Sequence, residues 1–145
     1  FRRELVEKLR TRKFLANEIE GAIARCEELD LLNDERVAQR FVEVRAADRG
    51  WGPHRLAAEL RQRGLPADDA DRLSDLPEEL AGDAMRTALR KIEARASAEW
   101  WRDGQRRARM VSSLITRGFE AEVAIAAVDD LAASREKQNH ALDDQ

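Results

Sequence analysis

The chain has 145 residues, with 26 Lys and Arg against 29 Asp and Glu and a formal net charge of −3. This length excludes a large two-domain enzyme, and the slight acidic excess is unfavourable for a dedicated DNA-binding protein. More than half of the residues are Ala, Glu, Lys, Leu or Arg, whereas β-branched residues are scarce, so the composition favours helices over a substantial sheet. The single cysteine, Cys26, cannot form an intramolecular disulfide, which suits a reducing cytoplasm.

A short helical pattern occurs three times along the chain. Each copy has two apolar residues four positions apart, followed by an arginine, a glycine or lysine, and a further apolar residue; the copies begin at Leu5, Leu56 and Met110. This spacing places the first two apolar side chains on one helix face, and a glycine directly after a helix typically ends it in the left-handed conformation. Lys13 occupies the glycine position in the first copy, which predicts a weaker helix end there.

Longer amphipathic segments precede the second and third copies, and a short amphipathic stretch follows each copy. The longer segments are 34–49 and about 78–96. The pattern therefore predicts an all-α protein, an elongated array of three-helix repeats in which neighbours pack end to end. The expected divisions are a first repeat at 1–32 that lacks its leading helix, a second repeat at 33–76, a third at 77–133 and a flexible tail at 134–145, where apolar periodicity stops.

The segment 49–55, called the elbow below, lies between two helices of the second repeat. Gly50 can end the preceding helix with a positive φ, Gly52 allows a free turn, and Pro53 suits the first turn of the next helix. Trp51 lies at this corner, where it either only packs as part of a structural turn or takes part in recognition. The structural role is favoured because it is the more common one.

The near-neutral total charge hides two basic segments. Residues 1–15 carry a net charge of +4 and residues 86–117 a net charge of +6. Such segments can bind phosphates or an acidic protein surface, or they can simply be solvated helix faces. Arginine supplies most of this charge and offers planar, bidentate contacts to phosphate and carboxylate groups. Trp100 and Trp101 cannot both face the core of one helix, so we expect one of them to be exposed beside the arginines.

The motifs of the second repeat form a fairly specific combination. It comprises the stretch from Asn33 to Val42, then Arg45, the Gly-Trp-Gly-Pro turn of the elbow, and the helix residues Arg55, Leu56, Glu59 and Leu60, which lead to Gly64 and Leu65. This combination resembles the RecX family of regulators of the bacterial recombinase RecA. The opening Arg2-Arg3-Glu4-Leu5 and the stretch 106–119 are similar to the first and third units of that family. Val37 and Lys13 depart from its pattern at positions that concern packing and capping.

The resemblance implies an elongated, curved tandem array of three-helix-bundle repeats that binds the RecA–DNA filament. Proteins of this family inhibit filament growth, ATP hydrolysis, strand exchange and repressor self-cleavage, and so modulate homologous recombination, DNA repair and the SOS response. The resemblance also implies weak binding to single- and double-stranded DNA and no catalysis by the regulator itself. We expect a cytoplasmic monomer with no membrane partner.

The residues expected to bind the filament or DNA are arginines of the elbow, the basic segments and the repeated pattern, together with two tryptophans. They are Arg2, Arg3, Arg12, Arg45, Arg49, Trp51, Arg55, Arg63, Trp101, Arg102, Arg106, Arg107, Arg109 and Arg117.

No catalytic residue, metal ligand or cofactor is expected. His54 and His140 are far apart in the sequence, and there is no metal-ligand spacing and no glycine-rich phosphate-binding motif. A different class of function stays open: the three-helix units could act as a DNA-binding module of tandem helix-turn-helix-like readers without recombinase contact. Binding of that kind should weaken steeply with salt, because phosphate contacts release counterions.

Overall fold

The computed structural model describes residues 1–144. Within this range there are eight α-helices, one short 3₁₀ turn and no β-strand. The helices are α1 (Arg2–Thr11), α2 (Ala16–Glu28), α3 (Asp34–Arg49), α4 (Pro53–Gln62), α5 (Ala67–Ser74), α6 (Glu78–Glu93), α7 (Gly104–Thr116) and α8 (Ala121–Asp143). The 3₁₀ turn, Trp100–Arg102, is called the Trp turn below. The predicted all-helical class is confirmed, and none of these helices is both long and apolar enough to cross a membrane.

The helices end where the sequence supplies residues that stop a helix. Gly50 ends α3 with a φ of 64°. The three equivalent positions after α1, α4 and α7 are all left-handed, with φ of 65° at Lys13, 103° at Gly64 and 99° at Gly118. Pro53 is the first residue of α4. The predicted helix ends are therefore confirmed, including the lysine in a conformation that favours glycine.

The helices form a first pair (α1 and α2), a second trio (α3–α5) and a third trio (α6–α8). One apolar core extends through both trios, and α3 packs side by side with α6. Ala46, Ala84 and Ala88 are fully buried, and such small side chains allow two helices to approach closely. At the end of α3 a β-carbon on Gly50 would lie 2.5 Å from the backbone nitrogen of Ala88. Small residues therefore determine how closely the two trios meet.

The elbow lies directly on the end of α7, and we call this contact the joint. The Gly52 N–H donates to the Arg117 carbonyl oxygen at 2.7 Å, and the His54 N–H donates to the Gly118 carbonyl oxygen at 3.0 Å. A β-carbon on Gly118 would lie 2.3 Å from the backbone nitrogen of Arg55, and one on Gly52 would lie 2.6 Å from the Gly118 carbonyl carbon. The two backbones meet with no room for a side chain between them.

The start of α1 lies on the end of α4 in a comparable way. A β-carbon on Gly64 would lie 2.9 Å from the Arg3 side chain, and the Arg63 guanidinium pairs with Glu4 at 2.8 Å. The Phe1 ring contacts the Phe41 ring edge to face, with 6.5 Å between centroids. The sequence repeat therefore corresponds to a repeated contact, in which the start of one helix covers the glycine cap of the next trio.

The structure corrects the expectation of a flexible tail at 134–145, because α8 continues through Asp143. Arg135 forms a bidentate pair with Glu93 on α6, at 2.6 and 2.7 Å, and the buried Trp100 donates to the same carboxylate at 3.2 Å. Glu136 accepts a hydrogen bond from the Trp101 indole at 2.7 Å. Ionic and polar contacts with distant residues anchor this part of α8, so apolar periodicity gave no signal. Gln145 lies outside the described residues.

Replacing Arg135 with Gln should lower the free energy of unfolding by about 1–2 kcal/mol at pH 7, because the half-buried Glu93 carboxylate loses its bidentate partner. Its hydrogen bonds with Arg135 lower the pKa of Glu93. A lowered pKa in the folded state stabilises the protein above the ordinary glutamate pKa, and this contribution is lost as pH falls through the folded-state value. Urea denaturation at several pH values should therefore show the difference between wild type and variant shrinking below about pH 4.

The matched control for that experiment is Arg25→Gln. Arg25 pairs with Glu28 on the surface of α2, where both side chains are 67% exposed, and such pairs contribute little. If Arg135→Gln is no more destabilising than Arg25→Gln, the ion pair does not anchor α8.

Substitutions of glycine by alanine test the joint. Gly118→Ala should destabilise the protein by about 2–4 kcal/mol, because the new β-carbon meets the Arg55 backbone and the φ is strained. Gly64→Ala should cost about 1 kcal/mol, since its neighbour is the flexible Arg3 side chain. Gly21→Ala should be neutral or stabilising, because open space surrounds this helical position. Equal losses of stability for the first two variants in urea denaturation would contradict the tight joint.

Candidate polyanion-binding groove

A basic groove of about 780 Å³ lies beside the joint. The second trio contributes one wall with the elbow and the start of α4, and the third trio contributes the other with the end of α6, the following loop and α7. Seven cationic side chains line it: Arg49 and Arg55 from the second trio, and Lys91, Arg95, Arg106, Arg109 and Arg117 from the third. Basic residues that are distant in the sequence are therefore brought together by the joint.

The positive charge of the groove is almost uncompensated. No Asp or Glu of the described chain lines it. Within residues 1–144, Arg106 is the only one of the seven cations that pairs with a carboxylate, that of Asp103 at 3.4 Å. Elsewhere arginines are commonly paired, as Arg61 is with Asp71 at 2.7 Å and Arg72 with Glu35 at 3.0 Å. The groove is thus a local excess of positive charge in a chain whose net charge is negative.

Arg117 lies between the two walls. Its Nη1 donates to the Arg49 carbonyl oxygen at 2.7 Å, so the guanidinium joins the third trio to the end of α3. Burial lowers the pKa of Arg117, and the neighbouring charges of Arg55 and Arg95 lower it further. The guanidinium of Arg117 is therefore close enough to those of Arg55 and Arg95 to be repelled by both, and an anion beside it would relieve that repulsion.

Trp51 positions the guanidinium of Arg55. The ring of Trp51 is half-buried and contacts Phe41 edge to face at 6.3 Å, while the Arg55 guanidinium lies 4.1 Å from its centroid. Stacking on an aromatic face reduces the conformational freedom of the arginine side chain and fixes the orientation of its planar guanidinium group. The tryptophan packs as a structural corner should, and it also lines the groove.

Hydroxyl groups from α7 line the groove beside the cations. Ser113 donates to the Arg109 carbonyl oxygen and Thr116 to the Ser112 carbonyl oxygen, each at 3.0 Å. These two hydroxyl groups therefore donate their protons to backbone carbonyl oxygens of α7 and not to a ligand. Most donors that remain for a ligand therefore belong to charged side chains, and the groove can hold an anion with several acceptor oxygens.

Six of the predicted partner-binding residues line this groove: Arg49, Trp51, Arg55, Arg106, Arg109 and Arg117. Sequence reasoning missed Lys91 and Arg95, which extend the same surface from the end of α6. Their signal was the net charge of +6 over 86–117, because both residues contribute to it. The sequence pattern could not predict that the end of α6 packs beside α7, which places these two residues in the groove.

Several other predicted residues are engaged within the protein. Arg2 pairs with Glu27 at 3.2 Å and Arg3 with Glu7 at 3.3 Å, all on exposed surface. Arg63, which pairs with Glu4, has its guanidinium 4.8 Å from the Phe41 centroid. Three more lie outside the groove in different surroundings: Arg45 near Phe41 and Trp51, Arg12 exposed at the end of α1, and Arg107 half-buried beside the Trp turn.

The Trp turn differs from the sequence expectation. Trp100 is buried, with 2% of its surface exposed, but Trp101 is half-buried and donates to Glu136 instead of standing free. The two rings meet edge to face at 6.1 Å. Because they lie in a 3₁₀ turn and not on one helix, both can pack inward. Arg102 pairs with the same Glu136 at 3.1 Å. The Arg102–Glu136 ion pair therefore lies against α8 and outside the groove.

The described chain contains no group of His, Cys, Asp and Glu side chains arranged to hold a metal ion. His54 contacts Glu120 across the joint, with 2.5 Å between Nε2 and Oε1, and both side chains are exposed. Cys26 is partly buried on α2 and forms no disulfide. The groove is therefore the feature best suited to binding a partner.

Comparison with known proteins identifies the family. Residues 33–72 match the family model described as RecX, second three-helix domain. The chain is similar to the regulatory protein RecX of Prosthecochloris aestuarii, with 30% identity over 90% of this chain and 83% of the relative. It is also similar to the proteins of the same name from Streptomyces coelicolor (34%, 88% and 67%) and Thermus thermophilus (36%, 79% and 71%).

No solved structure shows significant similarity to this chain. The relatives are regulatory proteins by name, and the first two matches span 90% and 88% of this chain. The similarity therefore includes the elbow, the joint and the basic groove, and the motifs of the second repeat coincide with the matched domain. The chain belongs to the RecX family.

Proposed function

We propose that this protein binds the RecA–DNA filament and inhibits the recombinase. The observation that carries the proposal is its similarity, over most of its length, to regulatory proteins named RecX. Binding would restrain filament growth, ATP hydrolysis, strand exchange and repressor self-cleavage. The protein would thereby modulate DNA repair, homologous recombination and the SOS response, acting as a monomer in the cytoplasm with no catalytic activity, cofactor or membrane partner of its own.

The basic groove is the proposed contact surface. A filament of protein on DNA offers phosphates and carboxylates, and six groove cations have no carboxylate partner within residues 1–144. Electrostatic attraction of this kind increases the rate of encounter and favours an acidic partner. The predicted residues in the groove are proposed as direct contacts. Arg12, Arg45 and Arg107 flank or lie apart from it, and Arg2, Arg3, Arg63, Trp101 and Arg102 would have to exchange internal partners to contribute.

The same groove supports a second candidate, a DNA-binding module without recombinase contact. Unpaired arginines bind backbone phosphates as readily as they bind acidic side chains, and weak binding to single- and double-stranded DNA accompanies either function. The two functions differ in what must be present for activity. A filament regulator acts at concentrations at which free DNA is barely occupied, whereas a DNA-binding module acts only by covering DNA.

ATP hydrolysis by RecA on single-stranded DNA, with this protein titrated in, distinguishes the two. The recombinase should come from the same bacterium, and binding to the DNA alone should be measured in parallel at the same salt concentration. We expect strong inhibition before the free DNA is occupied. Inhibition that follows DNA saturation, or no inhibition, would exclude the filament-regulator function.

The double variant Arg95→Gln, Arg109→Gln tests the groove. Both side chains are exposed and make no ion pair within the described chain, so the substitutions should leave the fold intact. The concentration for half-inhibition should rise about tenfold or more, since a charge-assisted hydrogen bond contributes about 1.5–3 kcal/mol. The control with the same change of charge is Arg25→Gln, Arg86→Gln, both exposed and outside the groove. Equal weakening in the two double variants would contradict the assignment of the surface.

A further inference from the structure

The basic groove spans the joint, so like charges face one another across it. Arg55 belongs to the second trio, whereas Arg95 and Arg117 belong to the third. Both Arg55 and Arg117 line the groove, and the repulsion between them opposes the docking that the glycine contact and its two backbone hydrogen bonds maintain. A multivalent anion in the groove would replace this repulsion by attraction to both walls.

The joint differs in charge from the equivalent contact at the start of α1. In the aligned pattern Glu4 corresponds to Arg55, and Arg63 corresponds to Arg117. The first contact is neutralised by a 2.8 Å ion pair between Arg63 and Glu4. At the joint an arginine, Arg55, occupies the position equivalent to Glu4. The two contacts therefore have similar backbone geometry, but the joint lacks the carboxylate that would neutralise Arg117.

The dimensions of the groove favour a compact ligand. A volume of about 780 Å³ lies within the range of small-molecule sites, and the cations converge on it from both walls. A chain of adjacent phosphates concentrates several charges and many acceptor oxygens in such a space. The extended backbone of a nucleic acid distributes its phosphates more widely, so fewer of them could lie within one concave site.

We propose that the groove of the isolated protein binds a free oligophosphate, such as inorganic polyphosphate or the triphosphate of a nucleotide, and that this ligand joins the second and third trios. Arg55 contacts it from one wall, and Arg95, Arg109 and Arg117 contact it from the other. Planar guanidinium groups match phosphate oxygens in bidentate pairs. Ligand that binds only the folded, docked state stabilises that state by mass action. This inference requires no recombinase and can fail without affecting the proposed function.

Calorimetric titration of the isolated protein with tripolyphosphate, at constant ionic strength and without DNA or recombinase, tests the site. One tripolyphosphate should bind per chain at least about tenfold more tightly than orthophosphate, and the melting temperature should rise with its concentration. The variant Arg95→Gln, Arg109→Gln should bind about tenfold more weakly. The control Arg25→Gln, Arg86→Gln should bind as the wild type does.

The source of the phosphates is identified by comparing ATP with tripolyphosphate. Equal affinity would support a site for the phosphate chain alone, and tighter binding of ATP would support a nucleotide ligand. Three results would overturn the proposal. They are equal weakening by the control variant, tripolyphosphate binding no tighter than orthophosphate, and a groove-dependent affinity for a single-stranded oligonucleotide without any for tripolyphosphate.

Discussion

The contact between Gly52 and Gly118 is the constraint on which the other functional features depend. Two backbone hydrogen bonds cross it, and a β-carbon on either glycine would overlap the opposite backbone. Because the approach is so close, the elbow and the end of α7 share one fixed arrangement. That arrangement places Arg55 near Arg117 and creates the concave surface between the trios. A larger residue at either position would separate the walls of the groove.

The distribution of ion pairs around the third trio explains how an acidic protein keeps a basic groove. On the side that faces α8, Arg135 and Arg102 are neutralised by Glu93 and Glu136. On the side that faces the joint, the cations have no such partner in the described part of the chain, except for Arg106. Glu93 of α6 and Glu136 of α8 thus anchor α8 without lining the groove. The net charge of the chain describes neither the neutralised surface beside α8 nor the basic groove, because it sums the charges of both.

Local signals in the sequence were sufficient for most of the fold. The glycines at 50, 64 and 118 determine where helices end, because a left-handed residue is a property of a few adjacent positions. The length of α8 was not predictable in this way, since Arg135 is held by Glu93, 42 positions earlier in the chain. Lys91 and Arg95 were missed for a similar reason. Their place in the groove follows from the packing of α6 against α3 and α7, which a linear pattern of charges does not describe.

The repeated arginine of the three-copy pattern shows why residue type and position did not reveal which arginines have a carboxylate partner within residues 1–144. Arg63 and Arg117 occupy equivalent places after α4 and α7, and both receive the start of a preceding helix. Arg63 is neutralised because that helix brings Glu4, and Arg117 stays uncompensated because it brings Arg55. A change in the charge of one facing residue thus distinguishes a neutralised contact from a basic surface. The informative quantity is the charge of the residue across the contact, which becomes visible only when the repeats are aligned on their glycine caps.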